Sequence, residues 1–334
     1  KTIGDHKMSN VKLSIVIVGY KSWDVIDNCL TSFKMHTPKT VYEIIVVNNY
    51  PQDSRFDSFA KKHPEAKFIN NKGNYGFSNG CNLGAKHSIG KYLLFLNPDT
   101  ELTSDDAIDA MIGLLSNDNS VGLTSCRTTK PSGKIEREML FSSPWLLISF
   151  ARQIYKLLFR ARLQEKFEHS AEIWYPEWVS GSVIMVSRSL FDKIGGWNQA
   201  RFWMYHEDPD ICNRVRKLDK KIAIIRNKSI RHIGGGTSRK NNKTTIMAKT
   251  EVIISSHNYI QINTTSVGRT LLHFLFSTTS IITLLIKSVI SLLILHISKS
   301  NVYFFTVISI FKYYFFAIRK KTWKSQKILN YEKN

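Results

Sequence analysis

Cysteine is scarce in this chain and never paired by spacing. Four occur in 334 residues, Cys29, Cys81, Cys126 and Cys212. No CxxC is present, which excludes a zinc ribbon, a thioredoxin-like redox motif and a disulfide scaffold. Each lies among helix- or strand-forming residues, so all four read as reduced structural thiols in a cytosolic setting. Acidic residues are also short, with 26 Asp and Glu against 47 Lys and Arg and a net charge of +21. Such an excess calls for an anionic partner: nucleic acid, nucleotide phosphates or anionic lipid. No cleavable signal peptide is expected; Lys1–Asn10 is polar and Met8 reads as a natural start. Internal repeats and low-complexity tracts are absent, so a solenoid or a disordered tail is not expected. What is present, at 43% hydrophobic residues, suffices for one large or two ordinary domains.

Leu13–Val18 (LSIVIV) is a continuous apolar run of the kind a parallel strand buried on both faces requires. Further strands are expected at Glu43–Val47, Lys67–Ile69, Tyr92–Leu96, Val121–Ser125, Val179–Val186 and Ile222–Ile225. Helices are expected at Val25–Phe33 behind Asp24, at Phe56–Lys62, at Ser78–Ser88, and at Ala107–Leu115 behind a capping-box-like Thr103-Ser104-Asp105-Asp106. Strands alternating with helices predict a doubly wound α/β sheet, with ligands bound beyond the strands' carboxyl ends. Polar clusters stand at those ends: Gly19-Tyr20-Lys21, Asn48-Asn49 and Asn97-Pro98-Asp99. The carboxylate of Asp99 suits Mg²⁺ or Mn²⁺ bridging a diphosphate. Asn71–Gly84 (NKGNYGFSNGCNLG) permits tight turns and close backbone approach, and lacks the lysine of a Walker loop.

The chain is organised around Trp197–Arg214 (WNQARFWMYHEDPDICNR). Gly195 and Gly196 stop a short helix over Ser189–Ile194. After Phe202, Trp203 and Tyr205 come the adjacent carboxylates Glu207 and Asp208, then Pro209 and a helical run. Proline favours the first helical position and Asp the N-cap, so Asp208 is expected to cap this helix and to stay ionised. Asp210 and Arg214 are placed to pair at i, i+4. Aromatics beside two carboxylates look like a pocket wall next to a general base, though a capped helix with a surface ion pair accounts for the same residues. A lone histidine is more often structural than a ligand, but His232 precedes a glycine run with basic residues, Gly234–Lys240, which adds weight to a metal or phosphate role.

Pro144–Leu163 is apolar and basic, with Arg152, Lys156, Arg160 and Arg162 and no acid, as an amphipathic helix on a membrane surface or a buried helix with snorkelling arginines would be. Leu271–Ile297 and Val302–Ile318 are strongly apolar but interrupted by Lys287 and Lys312. They read as helices lying in or against a membrane, with a transmembrane hairpin as the competitor.

Taken in order, SIVIVGYKS, EIIVVNN, NYGFSNGCNLG, YLLFLNPDTEL, EWVSGSVIMV, GGWNQARFWMYHEDPDICNR and RHIGGGTS resemble the inverting, nucleotide-sugar-dependent glycosyltransferases of the GT-A fold. Within these they are most similar to the bacterial rhamnosyltransferase-like branch. The resemblance runs from Leu13 to about Ser238. It implies a Rossmann-like, mostly parallel sheet with flanking helices, to which the apolar C-terminal segments add membrane-associated helices. The corresponding domains are 11–262, with a basic amphipathic insertion at about 140–170, and 263–334. It also implies that Asp99 binds the metal (Mg²⁺ or Mn²⁺) on the donor diphosphate, with Asn97 where many relatives have a second Asp and with His232 assisting. Asp208 matches the general base, with Glu207 beside it. Tyr20 matches a residue packing on the nucleobase, and Asn74 and Gly76 fall in the donor loop. Asn48 stands where the family usually has a base-contacting Asp; its amide oxygen can still accept a base N–H. Trp178, Trp203 and Tyr205 would give acceptor sugars faces to stack on, or pack the core. The donor implied is dTDP-L-rhamnose, with a UDP- or GDP-hexose as the alternative. An enzyme held by its basic and apolar C-terminal segments at the cytoplasmic face of the bacterial inner membrane would suit a polyprenyl-diphosphate-linked saccharide as acceptor, as in surface-polysaccharide assembly. Inversion needs one base and one cation, and no second carboxylate as nucleophile.

Two other classes fit less well. A nucleic-acid-binding protein would carry a reading module, and none is recognisable. A nucleotidyltransferase would carry a Gly-rich, Lys/Arg-bearing loop after the first strand, which Gly19-Tyr20-Lys21-Ser22 does not resemble.

Overall fold

A computed structural model of the chain describes residues 11–136, 142–159, 172–234 and 241–332. These form two compact units. The first comprises the described residues within 11–136, 172–199 and 207–234, and the second 142–159, 200–206 and 241–332.

The first unit is built on β1 (Leu13–Gly19), β2 (Tyr42–Asn48), β3 (Ala66–Asn70), β4 (Tyr92–Leu96), β5 (Thr100–Leu102), β6 (Val121–Thr129), β7 (Ile173–Trp174), β8 (Val183–Ser187) and β9 (Lys221–His232). Its helices are α1 (Trp23–Met35), α2 (Phe56–Lys62), α3 (Phe77–Lys86), α4 (Ala107–Asn117), α6 (Arg188–Lys193) and α7 (Glu207–Arg216). The strands join one sheet in the order β3-β2-β1-β4-β8-β6-β9-β5, with β7 also on β9. The half β3-β2-β1-β4 is parallel, β8 enters antiparallel between β4 and β6, and β9 runs parallel to β6. Every residue of β1 is buried, because both faces are covered. Leu13, Ile15 and Ile17 pack with Ile26, Leu30 and Met111 of α1 and α4 on one face. Val16 and Val18 pack with Cys81 of α3 and Ile211 and Val215 of α7 on the other. Helix α3 lies so close that a Cβ on Gly80 or Gly84 would come within 2.5 or 2.4 Å of Val18 or Val16. All four cysteines are buried free thiols, as their placement in helices and strands implied.

Several boundaries differ from those read off the sequence. β8 starts at Val183 and not Val179, so Val179–Ser182 is a loop. β9 runs on to His232; its polar middle Arg226–Lys228 is skipped in the pairing with β6, which breaks the apolar pattern. The short β5 and β7 carry too few residues for any period. The capping box before α4 does not form: Asp106 makes no side-chain cap and instead pairs with Lys228. Asp105 contacts His36, and Thr103 donates to the Ser229 carbonyl. Gly195 and Gly196, at φ of 77° and 68°, close α6 as expected.

The second unit holds a 3₁₀ turn, Pro144–Leu147, then α5 (Ser149–Leu158), α8 (Asn242–Asn263), α9 (Ser266–Leu293), α10 (Ile297–Lys320) and α11 (Gln326–Tyr331). The basic segment is therefore broken at Ile148, and its Arg160 and Arg162, like Gly235–Lys240 of the glycine run, lie outside the described residues. The two apolar segments divide at Ile294–His296, where Leu295 has a φ of 58°, and not between residues 297 and 302. Helix α8 packs on α9 and α10 within this unit. Its inner face is polar, with Glu251, Ser255, Ser256, His257 and Asn258 all buried. Asn241 and Thr244 close a reciprocal capping box at its start.

Candidate active site

The carboxyl ends of β1, β2 and β3 carry Tyr20, Asn48 and Asn70. Tyr20 meets Tyr50 edge to face at 5.7 Å, and the Lys21 ammonium lies 4.1 Å from the Tyr50 centroid. The side-chain amide of Asn48 donates to the Tyr50 carbonyl (2.9 Å) and to Asn70 Oδ1 (2.8 Å), while its oxygen accepts the Tyr50 N–H (3.0 Å). It thereby holds the turn that presents Tyr50.

The Asn/Gly-rich loop feeds a chain of amides. Asn71 donates to Asn49 and Asn79, Asn79 and Asn82 both donate to Gln199 Oε1, and Asn82 exchanges two bonds with the Trp197 backbone. The loop asparagines thus tie α3 to the segment ahead of the paired carboxylates. Gly76, at φ 91°, opens α3, its carbonyl accepting from Asn49 and its N–H facing Asn74 Oδ1 at 3.4 Å.

Beyond β4 lies a second cluster. Pairing of Thr100 with His232 across β5 and β9 brings the histidine to Asp99, with Nε2 3.4 Å from Asp99 Oδ1. Asn97 Nδ2 is 3.5 Å from the same nitrogen. On the ring's other side Nδ1 donates to Glu136 Oε2 at 2.9 Å. Burial alone would lower the His232 pKa, but the Asp99 and Glu136 carboxylates outweigh it and lift it to about 9. Glu136 carried no signal in the sequence, standing alone after a turn, and only the fold brings it here.

The third cluster is the carboxylate pair. Helix α7 begins at Glu207, so Asp208 is in its first turn and not its cap, and Pro209 is the third helical residue and not the first. Tyr205 and His206, at φ of 72° and 62°, are two successive left-handed non-glycine residues leading into the pair, a costly backbone of the sort found at functional sites. The Gly181 N–H donates to Asp208 Oδ2 at 3.2 Å. Burial raises the Asp208 pKa to about 6, opposed by the backbone N–H groups of Gly181 and Asp208. Burial, followed by the charge of Asp208, raises the Glu207 pKa well above the ordinary carboxylate range, and its Oε2 has no hydrogen-bond partner among the described residues. Burial thus favours the protonated form of Glu207, while the Gly181 N–H favours the ionised form of Asp208. The Asp210–Arg214 pair forms at 2.8 Å, but as a buried strut: Arg214 also donates to the Ile194 and Gly196 carbonyls.

One three-residue segment connects the second and third clusters. The Asn97 N–H donates to the Ser182 carbonyl (3.0 Å), and Gly181 binds Asp208. Ser180-Gly181-Ser182, just ahead of β8, thus fixes both. Of the aromatics, Trp178 is partly buried against the core of the first unit. Trp203 belongs to the second unit, where it is buried with the Lys327 ammonium 3.5 Å from its centroid. Tyr205 is part of that unit too.

Among the described residues no three His, Cys, Asp or Glu side chains converge as a metal cage. Asp99 and His232 fit a different kind of site, in which two protein ligands share a divalent ion with diphosphate oxygens and water, as Mg²⁺ and Mn²⁺ accept.

A sheet of this topology, with a carboxylate–histidine cluster at one strand end and a carboxylate pair at a helix start, defines a glycosyltransferase of the GT-A type. The chain belongs to Glycosyl transferase family 2, whose model matches residues 14–194, more than half its length. It is 28% identical over 224 residues to the low-salt glycan biosynthesis hexosyltransferase Agl10 of Haloferax volcanii, covering 63% of this chain and 64% of that protein. It is 24% identical over 228 residues to the N-acetylglucosaminyl-diphospho-decaprenol L-rhamnosyltransferase of Mycobacterium tuberculosis, covering 61% and 70%. The mannosyltransferase PcManGT from Pyrobaculum calidifontis, solved with GDP-Man and Mn²⁺, superposes at a TM-score of 0.53 and 12% identity over 91% of this chain and 88% of that one.

Proposed function

We propose that this glycosyltransferase is metal-dependent and inverting, and that it moves L-rhamnose from dTDP-L-rhamnose onto a polyprenyl-diphosphate-linked saccharide. The observation that carries the reading is the placement of the carboxylate pair, with Asp208 bonded by the Gly181 N–H in the same three-residue segment whose Ser182 carbonyl holds Asn97, and Glu207 buried beside it. Asp208 takes the proton of the acceptor hydroxyl as that oxygen bonds to the anomeric carbon. The bond from that carbon to the diphosphate oxygen breaks, and nucleoside diphosphate leaves with the electron pair. Asp99 and His232 would hold the Mg²⁺ or Mn²⁺, whose charge supports the leaving diphosphate. Tyr20 and Tyr50 would flank the nucleobase, with Asn48 fixing the latter and Asn74 and Gly76 shaping the adjacent loop. Trp178 is the aromatic of the first unit available to an acceptor sugar. The lipid-linked acceptor rests on the mycobacterial relative, named for a decaprenol-linked substrate.

Attachment to the cytoplasmic face of the bacterial inner membrane is part of the same proposal. Helices α9 and α10 are long and apolar enough to cross a membrane. Phe274, Ile286, Leu293, Phe311, Phe315 and Ile318 are all exposed on them. With Lys287 and Lys312 within, and Arg319-Lys320-Lys321 after, an interfacial position bound to anionic headgroups suits them better than a span. A panel of nucleotide-sugars with anomeric product analysis tests the function. Transfer from dTDP-L-rhamnose with inversion is the expected outcome. Preference for a UDP- or GDP-sugar would replace the donor, and retention of configuration would remove Asp208 from its role.

A further inference from the structure

We infer that Glu136 is a positioning residue of the diphosphate-metal site, acting through His232; this rests on the metal reading above. The turn Lys130–Lys134 folds the chain back along β6, closed by the Lys130 N–H on the Lys134 carbonyl. Ile135 then bridges to Thr129, and the Glu136 N–H bonds the Thr128 carbonyl at 2.8 Å. Because β6 and β9 run parallel with Thr129 beside Arg231, this return places Glu136 next to His232 at the end of β9. Its Oε2 accepts from Nδ1 at 2.9 Å, while Nε2 faces Asp99 and Asn97. The two ring nitrogens point away from each other, so an ion held between Nε2 and Asp99 lies on the far side of the ring from Glu136. Glu136 therefore does not share the ion. It fixes the ring's rotation and retains the proton on Nδ1, so that a metal ion takes the place of the Nε2 proton shared with Asp99. Removing such an outer partner costs about 10–100-fold in metal affinity.

The test titrates Mn²⁺ by electron paramagnetic resonance in the presence of inorganic pyrophosphate, the part of the leaving group common to every nucleotide-sugar. Full-length wild type is compared with Glu136→Ala, Glu136→Gln, His232→Ala, Asp99→Ala and the Glu136→Ala/His232→Ala double variant. Circular dichroism confirms that each is folded. Glu136→Ala should weaken Mn²⁺ about 10–100-fold, and Glu136→Gln, which can still accept from Nδ1, should recover most of that. The double variant should bind no more weakly than His232→Ala alone, since Glu136 acts only through the ring. If His232→Ala weakens binding and Glu136→Ala does not, the positioning role is wrong while the metal site stands. Additive losses in the double variant would also overturn it, as would a Gln variant as weak as Ala. If neither Asp99→Ala nor His232→Ala changes Mn²⁺ binding, the metal reading fails and this inference fails with it.

Discussion

Adjacent carboxylates of nearly the same intrinsic acidity are set apart by their surroundings. Glu207 is buried and its Oε2 has no partner among the described residues, whereas the Gly181 N–H stabilises charge on Asp208. Substitution should separate them. Asp208→Asn should keep donor binding and lose about 10²–10⁴-fold in turnover, while Glu207→Gln, isosteric with a protonated Glu, should stay within about tenfold of wild type. Steady-state kinetics in the reverse order would give the base to Glu207. The pH profile follows from the same shift. A base acts only when ionised, and Asp208 ionises near pH 6. Turnover should thus plateau above about pH 7 and fall about tenfold per unit below about pH 6. A rate flat down to pH 4.5 would exclude this carboxylate.

At the scale of elements, α7 is oriented by Arg214, which reaches from its last turn to the carbonyls ending α6 while pairing with Asp210, only 3% exposed. Arg214→Met removes the partner of a buried acid and should cost about 3–5 kcal/mol, measured by urea denaturation. Burial already raises the Asp210 pKa against the pull of Arg214. Without that pull it rises further, so the variant escapes part of the penalty at low pH by protonation and the loss should be greater at pH 8 than at pH 5. Equal losses at both would mean the helix is held by packing alone.

For the molecule as a whole, the open question is membrane attachment. His257 and His273 lie with Nδ1 atoms 2.8 Å apart, and Trp323 stacks on both at 4.3 Å. Truncating the tail would therefore disrupt the second unit as well as any lipid contact. Charge reversal after α10 is the cleaner probe. Replacing Arg319, Lys320 and Lys321 by Glu should weaken binding to anionic vesicles at least 10²-fold, since each basic residue contributes about 1 kcal/mol there. Sedimentation unchanged by the substitutions would place the contact elsewhere.

The sequence by itself determined the sheet's parallel half, because β1, β2 and β4 are apolar on both faces and need no partner to be read. It also put Tyr20, Asn48 and Asp99 at strand ends, since side chains just beyond a buried run are held at its edge. It brought out Glu207-Asp208 as a pair but not which of them is charged, because desolvation belongs to the fold. Helix α8 was invisible because its buried residues are largely polar, with Ser255, Ser256, His257 and the Asn258 amide bonded to groups distant in the chain. Glu136 was invisible for a related reason. Its partner His232 is 96 residues away, and only the parallel register of β6 and β9, a long-range backbone pairing that leaves no local pattern, brings the two side chains together.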